Sequence, residues 1–174
     1  MERLLVALDG SAHSDKALEL AADLAETYGA ELLVAHVMST APLSVAEREM
    51  AAAEYADELA SWTTTRTKVG SDELESGHEL LLHYSDLTHH FRETMGKHLL
   101  ASAKRKLDER NIETVQTLLA DGDPAETIAN LAKDRMVDAI VIGSRGLSDI
   151  KGLFLGSVSH KVSYLAECTC ITVK

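Results

Sequence analysis

Apolar residues along this chain fall into two alternating patterns. The first is a short, near-continuous apolar run, the mark of a strand buried on both faces. Such runs occur at "RLLVALD" (Arg3 to Asp9), "ELLVAHV" (Glu31 to Val37), "VQTLLADGD" (Val115 to Asp123), "DAIVIG" (Asp138 to Gly143) and "CITVK" (Cys170 to Lys174). The second is the three-to-four spacing of an amphipathic helix. Ala17, Leu20, Ala21, Leu24 and Ala25 form one such stripe, with Ser11 or Ser14 before it as a cap and Gly29 after it as a stop. Ile128, Ala129, Leu131 and Ala132 form another behind Pro124, a residue suited to a first helical turn. A further helix is expected over Ser157 to Ala166. Strands alternating with helices predict an α/β fold with a parallel sheet and right-handed crossovers.

One segment departs from this rhythm. A crossover between the second and third strands needs about 30 residues, and this one runs from Val37 to Glu113. Residues 41–60 are rich in alanine and glutamate and predict a helix, whereas 63–77 carry threonine, glycine and charge without periodicity and predict a loop. From His78 to Arg110 the residues Leu80, Tyr84, Leu87, Phe91, Met95, Leu99 and Leu107 return to helical spacing. The expectation is one domain over 1–174 with a helical insert at about 41–85. Leu59, Trp62 and Leu80 to Leu82 give that insert apolar area to bury, against a second subunit or the mouth of a site beyond Val37.

Composition narrows the function. The 174 residues are 45% hydrophobic and carry a formal net charge of -11. That balance excludes a disordered tail and disfavours nucleic acid as a partner, since both would be polyanions. No apolar run reaches the length of a membrane span, and the N-terminus reads as a strand rather than a signal peptide. A cytoplasmic setting is expected. Cys168 and Cys170 are expected on opposite faces of the last strand, with no disulfide or shared metal between them. His83, Asp86 and His90 share a helical face, near His78, His89 and His98 in sequence. They read as an exposed polar face rather than a metal site, so no metal ligands are assigned.

The densest chemistry lies in "VIGSRGLSDIKGLFLGSVSHKV", Val141 to Val162. In open parallel sheets, ligands bind beyond the carboxyl ends of the strands, where the strand order reverses. Asp9 and Gly143 would border one such crevice if their strands are neighbours. Glycine there permits close backbone approach and positive φ. Gly156, Ser157 and Val158 then open a helix, whose free N–H groups favour an anion. A strand-end loop next to a helix N-terminus suits a nucleotide. A phosphate loop of the G-x-x-x-x-G-K-[ST] type and a G-x-G-x-x-G after the first strand are both missing from the sequence. No general base or set of metal-binding carboxylates accompanies the glycines, so no catalytic residue is assigned.

With these residues in view, the sequence resembles the universal stress proteins. Their ATP-binding signature, G-x2-G-x9-G-[ST], stands here as Gly143, Gly146, Gly156 and Ser157. The likeness extends to "LLVALDGS", "LLVAHV", "GDPAETI", "DAIVIGSRG" and "GSVSHKV", and leaves out roughly 41–85. It implies a Rossmann-like sheet of the adenine nucleotide alpha hydrolase type, in the order 3-2-1-4-5 with helices on both faces. It also implies ATP, with Mg²⁺ held mainly by phosphate oxygens and water. By the resemblance, Asp9 sits beside ribose and adenine and the Val37 backbone pairs with the adenine edge. Ile142, Gly143, Arg145 and Gly146 flank the ribose and inner phosphate, and Gly156, Ser157 and Val158 hold the outer phosphates. Arg145 and Lys151 are equally readable as surface charges. The family's usual proline before the last strand is replaced here in "CTCITVK". The resemblance implies a homodimer through the last strand, which also reads as a sheet edge in need of cover. The function expected is a nucleotide-dependent stress-response module with slow or no hydrolysis. The alternative is an interaction module that docks a partner protein through its insert, its nucleotide site vestigial. An enzyme of another α/β family would need catalytic groups that the sequence lacks.

Overall fold

The computed structural model describes residues 1–40, 77–147 and 156–174, with side chains for all of these except 77–84 and Leu87. The helix expected over 41–60, the loop over 63–76, Trp62 and Lys151 lie outside the described residues. The chain divides into two compact units, Met1–Thr40 with Gly96–Lys174, and Ala41–Met95.

The first unit holds five strands: β1 (Arg3–Ala7), β2 (Glu31–Met38), β3 (Val115–Asp121), β4 (Ala139–Gly143) and β5 (Thr169–Val173). All neighbours pair in parallel, in the order β3-β2-β1-β4-β5. The order expected from the resemblance is the order found. Leu4, Leu5 and Val6 of β1 are fully buried because β1 is central and covered on both faces. Alternate residues serve opposite layers, as a period of two requires. Leu4, Val6, Leu32, Val34, Ala139 and Val141 pack with α1 (Ala12–Tyr28) and with Leu100, Ala103 and Leu107 near the end of α2 (Gly77–Asp108). Leu5, Ala7, Leu33, Ala35, Ile140 and Ile142 pack with α3 (Pro124–Asp134) and with Val162 of α4 (Ser157–Leu165).

Capping explains the element boundaries. Ser11 caps α1 by accepting the Ser14 N–H at 3.2 Å, while the Ser14 hydroxyl donates back to the Ser11 carbonyl. Gly29 closes the helix with φ 64°. β3 stops at Asp121 rather than Asp123, because Gly122 turns at φ 136° and Asp123 caps α3 by accepting the Glu126 N–H. That bond, with Lys161 beside it, holds the Asp123 carboxyl below the usual aspartate range. Arg110 anchors the end of α2 to α1 through Glu19, Asp23 and Glu26.

The cysteines depart from expectation. Both Cys168 and Cys170 pack on the α3–α4 side, since residues two apart along an extended chain share a face. Cys168 stands just before β5, and both are free thiols. Burial, then the neighbouring Cys170, pushes the Cys168 thiol up.

Candidate functional site

β1 and β4 are direct neighbours, with Ala7 opposite Ile142. The chain beyond each strand therefore emerges at the same end of the sheet. Past Ala7 come Leu8, Asp9 and Gly10, the last at φ 83°. The Asp9 carboxylate accepts the Ser11 N–H at 3.0 Å, which folds the turn into α1. Past Gly143 come Ser144, Arg145 and Gly146.

Around the segment Ser144–Gly146 the structure brings together Asp9, Arg145, Gly146 and Gly156. On one side, the Ser11 hydroxyl donates to the Arg145 carbonyl at 3.3 Å, and Asp9 lies against Gly146. On the other, the Gly156 N–H donates to the Ser144 carbonyl at 2.7 Å. The buried Ser159 hydroxyl lies 3.0 Å from that carbonyl and 3.0 Å from the Gly156 carbonyl. The start of α4 is thereby held against the loop that follows β4. Ser159 was not singled out from sequence; the second serine of "GSVS" was the signal available for it.

The start of α4 differs from the starts of α1 and α3. Its N-cap is Gly156, with no side-chain cap, and its first turn carries no acidic residue. The Gly156 N–H is taken by Ser144, and the N–H groups of Ser157, Val158 and Ser159 have no partner within the helix. Ser157 is exposed and Val158 half-buried. One turn later, the Lys161 ammonium binds Asp123 and Glu126 at 3.2 and 3.0 Å, tying α4 to the start of α3. Those two acids hold the Lys161 pKa above the ordinary lysine value.

The three signature glycines have different reasons, and none is a positive φ. A Cβ on Gly143 would come within 2.8 Å of the His13 carbonyl carbon and 2.9 Å of the Ser14 nitrogen, so this glycine lets α1 pack on β4. A Cβ on Gly146 would lie 2.5 Å from Asp9 Oδ2. At Gly156, φ is -71°, which any residue adopts, and a Cβ would stand 3.3 Å from the Ser144 carbonyl oxygen. The positive φ expected at Gly143 and Gly146 is not found, and their Cβ positions are instead crowded by neighbouring atoms. Ile142 is buried in the α3–α4 layer, so only its backbone belongs to the strand end.

Val37 lies at the end of β2, half-buried, opposite Ala120 of β3. Its peptide groups alternate in direction with those of His36 and Met38. Met38 accepts the Gly122 N–H on the β3 side, and Ala35 accepts the Leu8 N–H on the β1 side. The N–H and C=O of Val37 are thus turned toward the β1 side, where β1 has already ended at Ala7.

Among the described residues, no three histidine, cysteine, aspartate or glutamate side chains come together as a metal site. The side chain of His83 lies outside those residues. Also among them, no helix is long and apolar enough to cross a membrane.

A model of the Universal stress protein family matches residues 1–174. The chain belongs to this family. Universal stress protein YxiE of Bacillus subtilis (strain 168) is 34% identical over 172 residues, covering 99% of this chain and 98% of its own. Stress response protein NhaX of the same organism is 33% identical over 174 residues, covering 99% and 98%. Among solved structures, universal stress protein UspA from Lactobacillus plantarum aligns with a TM-score of 0.71 at 19% identity, over 99% of this chain and 97% of that one. A universal stress protein in complex with cAMP aligns at 0.62 and 21%, over 99% and 97%. A family protein from Arabidopsis thaliana with AMP bound aligns at 0.57 and 20%, over 100% and 92%. At these identities the structural likeness concerns the fold that all universal stress proteins here share.

Proposed function

We propose that this universal stress protein binds ATP at the end of β1 and β4 and acts as a nucleotide-dependent regulatory module, with slow or no hydrolysis. The observation that carries the reading is the start of α4. Three N–H groups without helical partners, no capping side chain and no acid in the first turn stand beside the loop that Asp9 touches. A polyanion fits there, because free N–H groups and the helix dipole favour negative charge.

The remaining residues divide the nucleotide between them. Asp9, at the strand end, accepts from ribose hydroxyls. The Val37 N–H and C=O meet the adenine edge, which offers one acceptor and one donor. Ile142, Gly143, Arg145 and Gly146 border the ribose and inner phosphate. Gly156, Ser157 and Val158 receive the outer phosphates. Mg²⁺, held mainly by the phosphates and water rather than by side chains, would lessen the repulsion between the phosphates. The cAMP and AMP held by the two structural relatives support an adenine nucleotide as the ligand class.

We also propose a cytoplasmic homodimer through β5. This strand is at one end of the sheet, paired among the described residues with β4 alone, and each of its residues is exposed or half-buried. An open edge of this kind is a template for a second strand.

The experiment is to denature the freshly purified protein and identify what it releases by mass spectrometry. Adenine nucleotide in stoichiometric amount, with ATP persisting over hours in the folded protein, is the expected result. Release of no nucleotide, together with no uptake of added ATP, would favour the vestigial-site alternative.

A further inference from the structure

Leu8 follows the last residue of β1, and a side chain rather than a strand binds its carbonyl. The parallel ladder between β1 and β2 runs through Ala7 opposite Ala35, with the Leu8 N–H donating to the Ala35 carbonyl at 2.8 Å. In an uninterrupted ladder the next bond would run from the Val37 N–H to the Leu8 carbonyl. That carbonyl is instead 2.8 Å from His36 Nδ1. A carbonyl only accepts, so Nδ1 carries the proton in this bond.

The ring is held in place from its far side. His36 is 6% exposed. A Cβ on Gly96, within α2, would come 2.7 Å from His36 Cδ2 and 2.7 Å from Leu119 Cδ1. Glycine inside a helix costs about 1 kcal/mol relative to alanine. Here it lets the α2 backbone close on the imidazole, so the ring cannot swing away from Leu8.

We propose that His36 is a positioning residue for base recognition. By taking the Leu8 carbonyl it ends the β1–β2 ladder one bond early and leaves the Val37 N–H and C=O for the base. This rests on the nucleotide reading above. Adenine presents an acceptor at N1 and a donor at its amino group, which match that N–H and C=O. Hypoxanthine presents the reverse, a donor and an acceptor. The preference for ATP over inosine triphosphate is therefore the readout of Val37.

The test measures affinities of the full chain for both nucleotides in wild type, His36→Leu and His36→Asn. The Asn amide can donate from about the position of Nδ1. Wild type is expected to prefer ATP by about tenfold, the scale of one or two hydrogen bonds. His36→Leu should weaken ATP to the level of inosine triphosphate without changing the latter, and His36→Asn should restore the preference. An unchanged preference in His36→Leu overturns the proposal, as does an equal loss for both nucleotides. Should His36→Leu fail to fold, His36→Asn decides: a retained preference supports the proposal and a lost one overturns it. If wild type binds neither nucleotide, the functional reading falls. Hydrogen exchange at the Val37 amide then decides the His36 role separately. Fast exchange supports an amide left out of the ladder, and protection equal to that of Val34 overturns it.

Discussion

Asp9 Oδ2 occupies the space that a side chain on Gly146 would need, 2.5 Å from the position of its Cβ. The end of β1 and the loop after β4 are therefore fitted to each other. The same carboxylate accepts the Ser11 N–H, and Ser11 in turn donates to Arg145 beside Gly146. A methyl at 146 must push the carboxylate aside or move the loop. Gly146→Ala is expected to weaken ATP binding by about tenfold or more, since it disturbs the carboxylate proposed to meet the ribose. The loop is half-exposed at this point, so the melting temperature should fall by only a few degrees. Calorimetric titration and thermal melting check the two halves of that statement.

Gly143 makes the opposite case. Its Cβ would meet the backbone at the start of α1, which cannot swing away as a side-chain tip can. Gly143→Ala is expected to cost about 1–3 kcal/mol of stability. Denaturant unfolding should rank it well below Gly146→Ala. Equal stability of the two variants would remove the distinction between a glycine set against backbone and one set against a movable side chain.

How much of this was readable from sequence depends on the range of the interaction. The strands, their faces and the helix caps are local patterns, and Leu4 to Val6, Ser11, Gly29 and Pro124 announced them. The sheet order comes through the family resemblance alone, because strand pairing is non-local, and the crevice between Asp9 and Gly143 depends on that order. The packing of Gly143 on His13 and Ser14 is not legible in the sequence, because those neighbours come from a distant part of the chain. His36 and Ser159 were passed over for the same reason, as their partners depend on register and on the path of a loop. Cys168 and Cys170 share the α3–α4 side because residues two apart along an extended chain point the same way.

The β5 edge gives a third prediction. Ile171 pairs with Val141 on the inner side. Val173 accepts the Ser144 N–H on the β4 side, so the neighbouring peptide groups of Thr172 face outward, and Thr172→Pro removes a donor from the open edge and adds a rigid ring there. Light scattering should report a dimer for wild type and a monomer for the variant. A dimer in both would move the interface away from β5.

A fourth prediction concerns acid. The Asp123 carboxyl is held low, first by the Glu126 N–H and then by Lys161. A folded-state pKa below the unfolded one contributes stability above the unfolded value, lost as pH falls through the folded value. Asn at 123 still accepts the Glu126 N–H but cannot titrate. Asp123→Asn should therefore show a shallower loss of stability below about pH 4, the ordinary aspartate range. Identical slopes in chemical denaturation at several pH values would count against a role for this carboxylate.

The central claim is that the strand-end crevice of this universal stress protein takes up ATP. Calorimetric titration of the full chain with ATP and Mg²⁺ tests it most directly. The account predicts a saturable heat with one ATP per chain. A flat titration up to millimolar ATP, from protein shown to be folded and free of nucleotide, would contradict it.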